Sequence, residues 1–133
     1  MLRLARKNLD GLGLLDWVDL KHRDIAEGFD ETNVDACFLD VRTPWEYLDQ
    51  VAAALKGGGF FGSILPTTNQ VSRLLMELEL HGLAFAEVEE ILLRPYKAVA
   101  ARLRPMDLMV AHTGFLVFAH KVAREEAGEA DGE

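Results

Sequence analysis

The stretch Val34-Asp35-Ala36-Cys37-Phe38-Leu39-Asp40-Val41, followed by Arg42-Thr43-Pro44-Trp45-Glu46, decides the fold. Its first eight residues form a nearly continuous apolar run. Such a run at strand length predicts a β-strand over 34–41 that is buried on both faces, as in a parallel sheet. The residues after it are a helix start. Thr43 can cap, Pro44 suits the first helical position, and Glu46 completes a capping box. Trp45, Leu48, Ala52 and Leu55 then recur at helical spacing, and Gly57-Gly58-Gly59 ends the helix. The same logic repeats. Phe60 to Leu65 is a second apolar strand and Pro66 breaks it. Thr67 with Gln70 forms another capping box, Val71, Leu74, Leu75 and Leu78 make an apolar stripe, and His81-Gly82 closes the helix. Two strand–helix units in succession imply parallel strands joined by right-handed crossovers.

Upstream, Leu2 to Leu9 reads as a helix that stops at Gly11-Leu12-Gly13. Trp17 to His22 alternates in the manner of a strand, and Asp24 to Asn33 is an acidic loop. Downstream the pattern changes. Ala84 to Leu93 and Leu108 to Val122 are strand candidates without a helical stripe between them, so an antiparallel pair is expected. The fold class is therefore α/β, with parallel strands and helices followed by a C-terminal antiparallel pair. Residues 1–122 form the domain and 123–133 an acidic flexible tail.

The chain has 133 residues, 50% apolar and 27% charged, which suits one globular domain. Its single cysteine, Cys37, excludes an internal disulfide framework. No apolar run approaches the roughly 20 residues that span a bilayer. The first residues lack an h-region, so no signal peptide and a cytoplasmic location are expected. The net charge of −8 argues against a uniformly basic nucleic-acid binder, and no DNA partner is expected. The charge is uneven. The segment Arg124 to Glu133 carries five acids and one base, whereas Ile91 to Met106 holds Arg94, Lys97, Arg102 and Arg104 and no acid.

Asp40 is the first residue with chemical promise. It sits at the carboxyl end of a parallel strand, where α/β sheets bind ligands. It could equally serve the adjacent helix N-terminus, which favours a carboxylate. Asn69 and Gln70 hold the equivalent place after the next strand and can act as caps. His112 and Thr113 lie on an apolar segment, where a lone histidine is most often a hydrogen-bonded structural residue. His22, His81, His112 and His120 are too scattered for a metal site, and none is expected. Tyr96 among Arg94, Lys97, Arg102 and Arg104 is the composition that grips single-stranded RNA bases, although a charge cluster is usually a solvated face.

Several of these segments, in this order, resemble the motifs of tRNA adenine-N1 methyltransferases that modify the T-loop. Phe38-Leu39-Asp40-Val41-Arg42-Thr43-Pro44-Trp45-Glu46 resembles "LDL-x-x-PW" and Leu55-Lys56-Gly57-Gly58-Gly59 resembles "LKPGG". Leu65-Pro66-Thr67-Thr68-Asn69-Gln70-Val71 resembles "LP-x-x-x-QV". Leu93-Arg94-Pro95-Tyr96, Arg104-Pro105 and His112-Thr113-Gly114-Phe115-Leu116 resemble "R-x-[WY]", "RP" and "GHTGFL". The resemblance covers about residues 1–122. It implies the C-terminal portion of a Rossmann-like class I methyltransferase sheet, S-adenosylmethionine as cofactor, and tRNA as substrate and partner. It implies that Asp40 is catalytic and that Asp24, Ile25 and Asp40 contact the cofactor. Arg94, Tyr96, Arg104, His112, Thr113, Gln70 and Pro66 would bind the RNA.

Four positions depart from the pattern: Arg23 stands where the family has glycine, Arg42-Thr43 replaces its usual pair, and Ala111 precedes His112 in place of glycine. The family's Gly-rich cofactor loop has no counterpart here. Methyl transfer by this chain alone is therefore not expected. In the family's strand order the missing strands fall between Trp17–His22 and Val34–Val41. That leaves the Asp40 strand with an open edge, and the expectation is a homo-oligomer or a partner chain supplying the missing half. The alternative reading is a non-catalytic RNA-binding or scaffolding subunit, or a remnant of that family.

Overall fold

The computed structural model describes residues 2–109 and 111–122. The expected acidic tail, 123–133, and Val110 lie outside the described residues. The order of elements is α1 (Leu2–Gly11), β1 (Val34–Leu39), α2 (Leu48–Ala54), β2 (Leu55–Leu65), α3 (Thr68–Leu78), β3 (Leu83–Glu89), β4 (Tyr96–Lys97), β5 (Arg104–Pro105) and β6 (Phe115–Lys121). Four strands form one sheet in the order β1-β2-β6-β3, and β4 and β5 form a separate two-stranded ribbon. β1 and β2 are parallel, while β6 runs antiparallel to both β2 and β3. The parallel units and the antiparallel close both follow the sequence pattern.

One face of the sheet carries the core. Cys37, Phe61 and Ala119 stand in register across β1, β2 and β6, as do Leu39, Ser63 and Val117. Against them pack Leu48 and Val51 of α2 and Val71, Leu74 and Leu78 of α3, in one cluster with Leu65 and Leu83. At α3 the Thr67 half of the expected capping box forms, and Gln70 answers the Thr67 hydroxyl rather than its backbone amide. The Thr67 hydroxyl accepts from the Gln70 amide at 3.4 Å and donates to Gln70 Oε1 at 2.7 Å. At the end of that helical stretch Gly82 takes the left-handed conformation, φ 74°, which a residue without Cβ adopts freely.

The opposite face is bare. Phe38, Gly62 and Phe118 share one register row, and Phe60 and His120 the next. Phe38 is 68% exposed and Ile64 42%. A Cβ at Gly62 would lie 2.6 Å from the Phe38 ring, so glycine is what lets that ring lie over the sheet. The rings of Phe38 and Phe118 flank Phe60 at centroid distances of 5.7 and 5.3 Å.

Five expectations need correction. β1 is buried on one face, not two, because α2 and α3 lie on the same side. The segment Trp17 to His22 is not a strand. Leu15–Trp17 forms a 3₁₀ turn, Trp17 is 85% exposed, and no described strand runs beside 18–22 to complete a hydrogen-bond ladder. The helix after Pro44 begins as a 3₁₀ turn over Pro44–Tyr47, which shifts its phase. The stripe is therefore Leu48, Val51 and Ala54 in place of Trp45, Leu48, Ala52 and Leu55. Thr43 makes no side-chain bond to the helix backbone; its hydroxyl donates to Glu46 Oε2 at 2.9 Å instead. Finally, the three glycines do not end the helix. α2 stops at Ala54 and β2 starts at Leu55, with the glycines inside it as a bulge: Leu55 pairs with Val34 and Phe60 with Ala36. Gly58, at φ 75°, supplies the turn that lets the extra residues loop out.

One-sided burial gives a direct test. Phe61→Ala, at 0% exposure, is expected to cost about 3–5 kcal/mol in urea denaturation. Phe38→Ala, on the bare face, is expected to fall within about 1 kcal/mol of wild type. Equal losses would contradict the burial pattern.

Candidate functional site

The carboxyl ends of β1 and β2 lie side by side, and a cleft of about 560 Å³ opens there. Asp40, Val41 and Arg42 form one wall, and Ile64, Pro66, Thr67 and Gln70 the other. Asp40 also borders a second hollow of about 240 Å³ on the bare face, where Phe38, Gly62 and Phe118 lie. It is exposed, and no side-chain hydrogen bond ties it to another described residue. Its carboxylate therefore stands free at the junction of both hollows.

The groups around Asp40 are held by polar contacts to backbone. The buried Ser63 hydroxyl donates to the Leu39 carbonyl at 2.8 Å, which fixes the last residue of β1 against β2. Gln70 Nε2 donates to the Arg42 carbonyl at 3.2 Å, joining the turns after β1 and β2. His112 reaches the same place from the far end of the β3–β6 connection. Its Nε2 lies 2.8 Å from the Pro66 carbonyl and its Nδ1 2.5 Å from Glu90 Oε1. The ring lies against Phe115, centroids 4.5 Å apart and planes tilted by 42°. The Glu90 carboxylate, and after it the Pro66 carbonyl, push the imidazole pKa up.

The structure thus brings Asp40, Pro66 and Gln70 together, with His112 joined to them through Pro66 and Thr113 beside it. It places the other candidates elsewhere. Arg94, Tyr96 and Arg104 belong to the arm between β3 and β6. Tyr96 pairs with Pro105 and Lys97 with Arg104 in the β4–β5 ribbon, and the Met106 amide donates to the Pro95 carbonyl at 2.9 Å. Arg94, Tyr96 and Arg104 are all exposed. Lys97 pairs with Asp107.

Asp24 and Ile25 lie in a third hollow, of about 180 Å³. Asp24 caps a short 3₁₀ turn, Ile25–Glu27, by accepting from the Ala26 amide at 2.9 Å. Around it Lys21 pairs with Asp30 and Glu31, and Arg23 pairs with Glu27 and Asp30. Gln50 Nε2 donates to the Ala26 carbonyl at 3.3 Å and ties this loop to α2. No group of three or more His, Cys, Asp or Glu is placed to hold a metal among the described residues. No helix among them is long and apolar enough to cross a membrane.

Two contributors escape a reading of the sequence. Ser63 looks like any small strand residue. Glu90 looks like one more acid, but Glu89 pairs with Leu116, so the strand register puts its neighbour beside His112. Ser63→Ala would strand the Leu39 carbonyl in the core. It is expected to cost about 1–3 kcal/mol in denaturant melts; an unchanged midpoint would show that the bond contributes nothing.

The family described as tRNA methyltransferase complex GCD14 subunit matches residues 2–109. A Methanocaldococcus jannaschii tRNA (adenine(57)-N(1)/adenine(58)-N(1))-methyltransferase TrmI is 31% identical over 97 residues, which is 72% of this chain and 34% of that protein. Among solved structures, a Thermotoga maritima protein described as a SAM-dependent O-methyltransferase is 54% identical with a TM-score of 0.88; the match covers 94% of this chain and 47% of that one. An Aquifex aeolicus tRNA (m1A58) methyltransferase TrmI is 40% identical with a TM-score of 0.83, covering 92% and 50%. The chain spans about a third of the curated relative's length and about half of each solved chain.

Proposed function

We propose, from the premise that this chain belongs to the tRNA methyltransferase complex GCD14 subunit family, that it forms the acceptor side of an S-adenosylmethionine-dependent tRNA adenine-N1 methyltransferase. Its fold is the C-terminal portion of a class I methyltransferase sheet, mixed parallel and antiparallel, with a separate two-stranded ribbon. The observation that carries the proposal is the free Asp40 carboxylate, held at the mouth of a cleft by strand ends and turns that are themselves locked.

S-adenosylmethionine supplies an electrophilic sulfonium methyl group. The described residues fit one end of it only. Asp24 and Ile25 could meet an aminopurine, but their hollow of about 180 Å³ is below the roughly 300–1,000 Å³ of whole ligand sites. The remainder of the donor would be held by residues that complete the sheet beyond β1. What this chain does is therefore argued from the acceptor alone. Adenine N1 already has a lone pair and needs no strong base before it attacks. Methylation makes the base cationic, and Asp40, accepting a hydrogen bond from the exocyclic N6 amino group, would stabilise that charge as it develops. The adenine must leave its stack to reach the cleft. Pro66, Gln70, His112 and Thr113 would bound its entry, and Arg94, Tyr96 and Arg104 would hold the flanking tRNA.

The free edge of β1 and the bare aromatic face support completion of the sheet by a second copy, by a partner chain, or by further sequence of the same protein. A cytoplasmic location accords with such a substrate. The exposed basic ribbon, set beside an incomplete donor site, also favours a second reading: a non-catalytic RNA-binding or scaffolding subunit.

Calorimetric titration of this chain with S-adenosylmethionine is expected to show no saturable binding, and clear binding would refute its dependence on other residues for the donor. In the completed enzyme, Asp40→Ala should lower methyl transfer by about 10²–10³-fold at saturating donor, the scale set by loss of one transition-state hydrogen bond. An unchanged rate would leave the scaffolding reading. Arg104→Ala should weaken tRNA binding without sequence preference and reduce its salt slope by about 1; an unaltered slope would remove Arg104 from the interface.

A further inference from the structure

We propose that His112 is a positioning residue: its imidazole clips both roots of the 90–113 arm to the Pro66 turn and so fixes where the basic ribbon stands relative to the Asp40 cleft. The part concerning tRNA rests on the reading above; the clip itself stands on geometry.

The arm has little else to hold it. No described residue from Ile91 to Met109 is buried, and its regular structure is the two-residue ladder of β4 and β5 and a 3₁₀ turn over Ala100–Arg102. The roots of the arm, by contrast, converge. Glu90 follows the last residue of β3, and His112 lies three residues before β6. Their bond joins positions 22 residues apart. The second bond, to the Pro66 carbonyl, joins this junction to a wall of the cleft. Gly114 makes the approach possible. A Cβ there would lie 2.9 Å from Ile64 Cγ1, so only glycine lets the chain pass this close to the end of β2.

The ring's chemistry suits a clip. A carbonyl oxygen only accepts, so Nε2 carries a hydrogen. Nδ1 faces a carboxylate, and a second hydrogen there satisfies both bonds at once. The doubly protonated ring is thus the form that holds, and Glu90 is the charged group acting on it among the described residues. Phe115 packs against the ring at 4.5 Å. The sign follows. The folded-state pKa is raised, so the clip is closed below the ordinary histidine value and opens as pH climbs through the raised one.

The test uses the chain itself. Amide hydrogen exchange at Tyr96, Lys97 and Arg104, corrected for intrinsic rates, is compared in wild type, His112→Phe and Glu90→Gln, with the His112 ring followed by nitrogen NMR. The wild-type ring should titrate above the ordinary histidine value of about 6.5, and arm exchange should accelerate across that same pH range. His112→Phe should raise arm exchange severalfold at neutral pH while exchange around Phe61 is unchanged. Glu90→Gln, which keeps an acceptor, should shift the transition to lower pH. His112→Phe should also weaken binding of tRNA with its salt slope unchanged, because a positioning residue removes no phosphate contact. A ring that titrates at the ordinary value, or arm exchange indifferent to His112→Phe, overturns the clip. An arm that loosens while tRNA affinity is indifferent both to that change and to Arg104→Ala supports the clip and overturns the arm's role in tRNA binding.

Discussion

The structure depends on one contact surface: α2 and α3 pressed against the same face of β1, β2 and β6. Phe61 sits at its centre, in register with Cys37 and Ala119. Burying that face sets the strands in place, and the strands set the cleft. Because β1 and β2 are parallel, their carboxyl ends finish together, and the turns that follow them meet. Ser63 makes the coupling explicit. Its side chain belongs to the covered face, yet its hydroxyl holds the carbonyl of Leu39, the residue before Asp40. Packing energy in the core is thereby converted into position at the mouth of the cleft.

The polar groups near Asp40 divide the labour in a consistent way. Gln70, Ser63 and His112 each direct a side chain at a backbone carbonyl: Arg42, Leu39 and Pro66 respectively. Each such bond fixes a turn or a strand end. The Asp40 carboxylate has no side-chain hydrogen bond to another described residue. A carboxylate kept free among fixed neighbours can accept a hydrogen bond from an arriving amino group without first breaking one of its own. That is the economy of a preorganised site: the reorganisation is completed on folding.

What could be read from the sequence was whatever depends on local pattern. The strand–helix units and the Thr67 cap rest on spacing within a few residues, and the closing antiparallel pair on the want of a helical stripe between its strands; all appear. Asp40 and Gln70 come together because strand ends in a parallel sheet align, which is a rule of topology. Two local patterns did fail, the Thr43–Glu46 box and the phase of its helix, because Pro44–Tyr47 winds as a 3₁₀ turn; the other failures share a different cause. The apolar run 34–41 does not say how many of its faces will be covered, since Phe38 and Phe61 look alike in a sequence. The three glycines carry the signature of a turn and form one, but as a bulge inside β2. Glu90 found its partner only through the register of β3 on β6.

The segment 17–22, the open edge of β1 and the aromatic row of Phe38, Phe60 and Phe118 are then one phenomenon. A strand cannot form without a ladder beside it, whatever its alternation, and Trp17 stays 85% exposed. An apolar face cannot be buried without a layer above it. Both wants would be met by strands added at β1 and helices crossing over the bare face. The half-length match to solved methyltransferase chains is what such a surface leads one to expect.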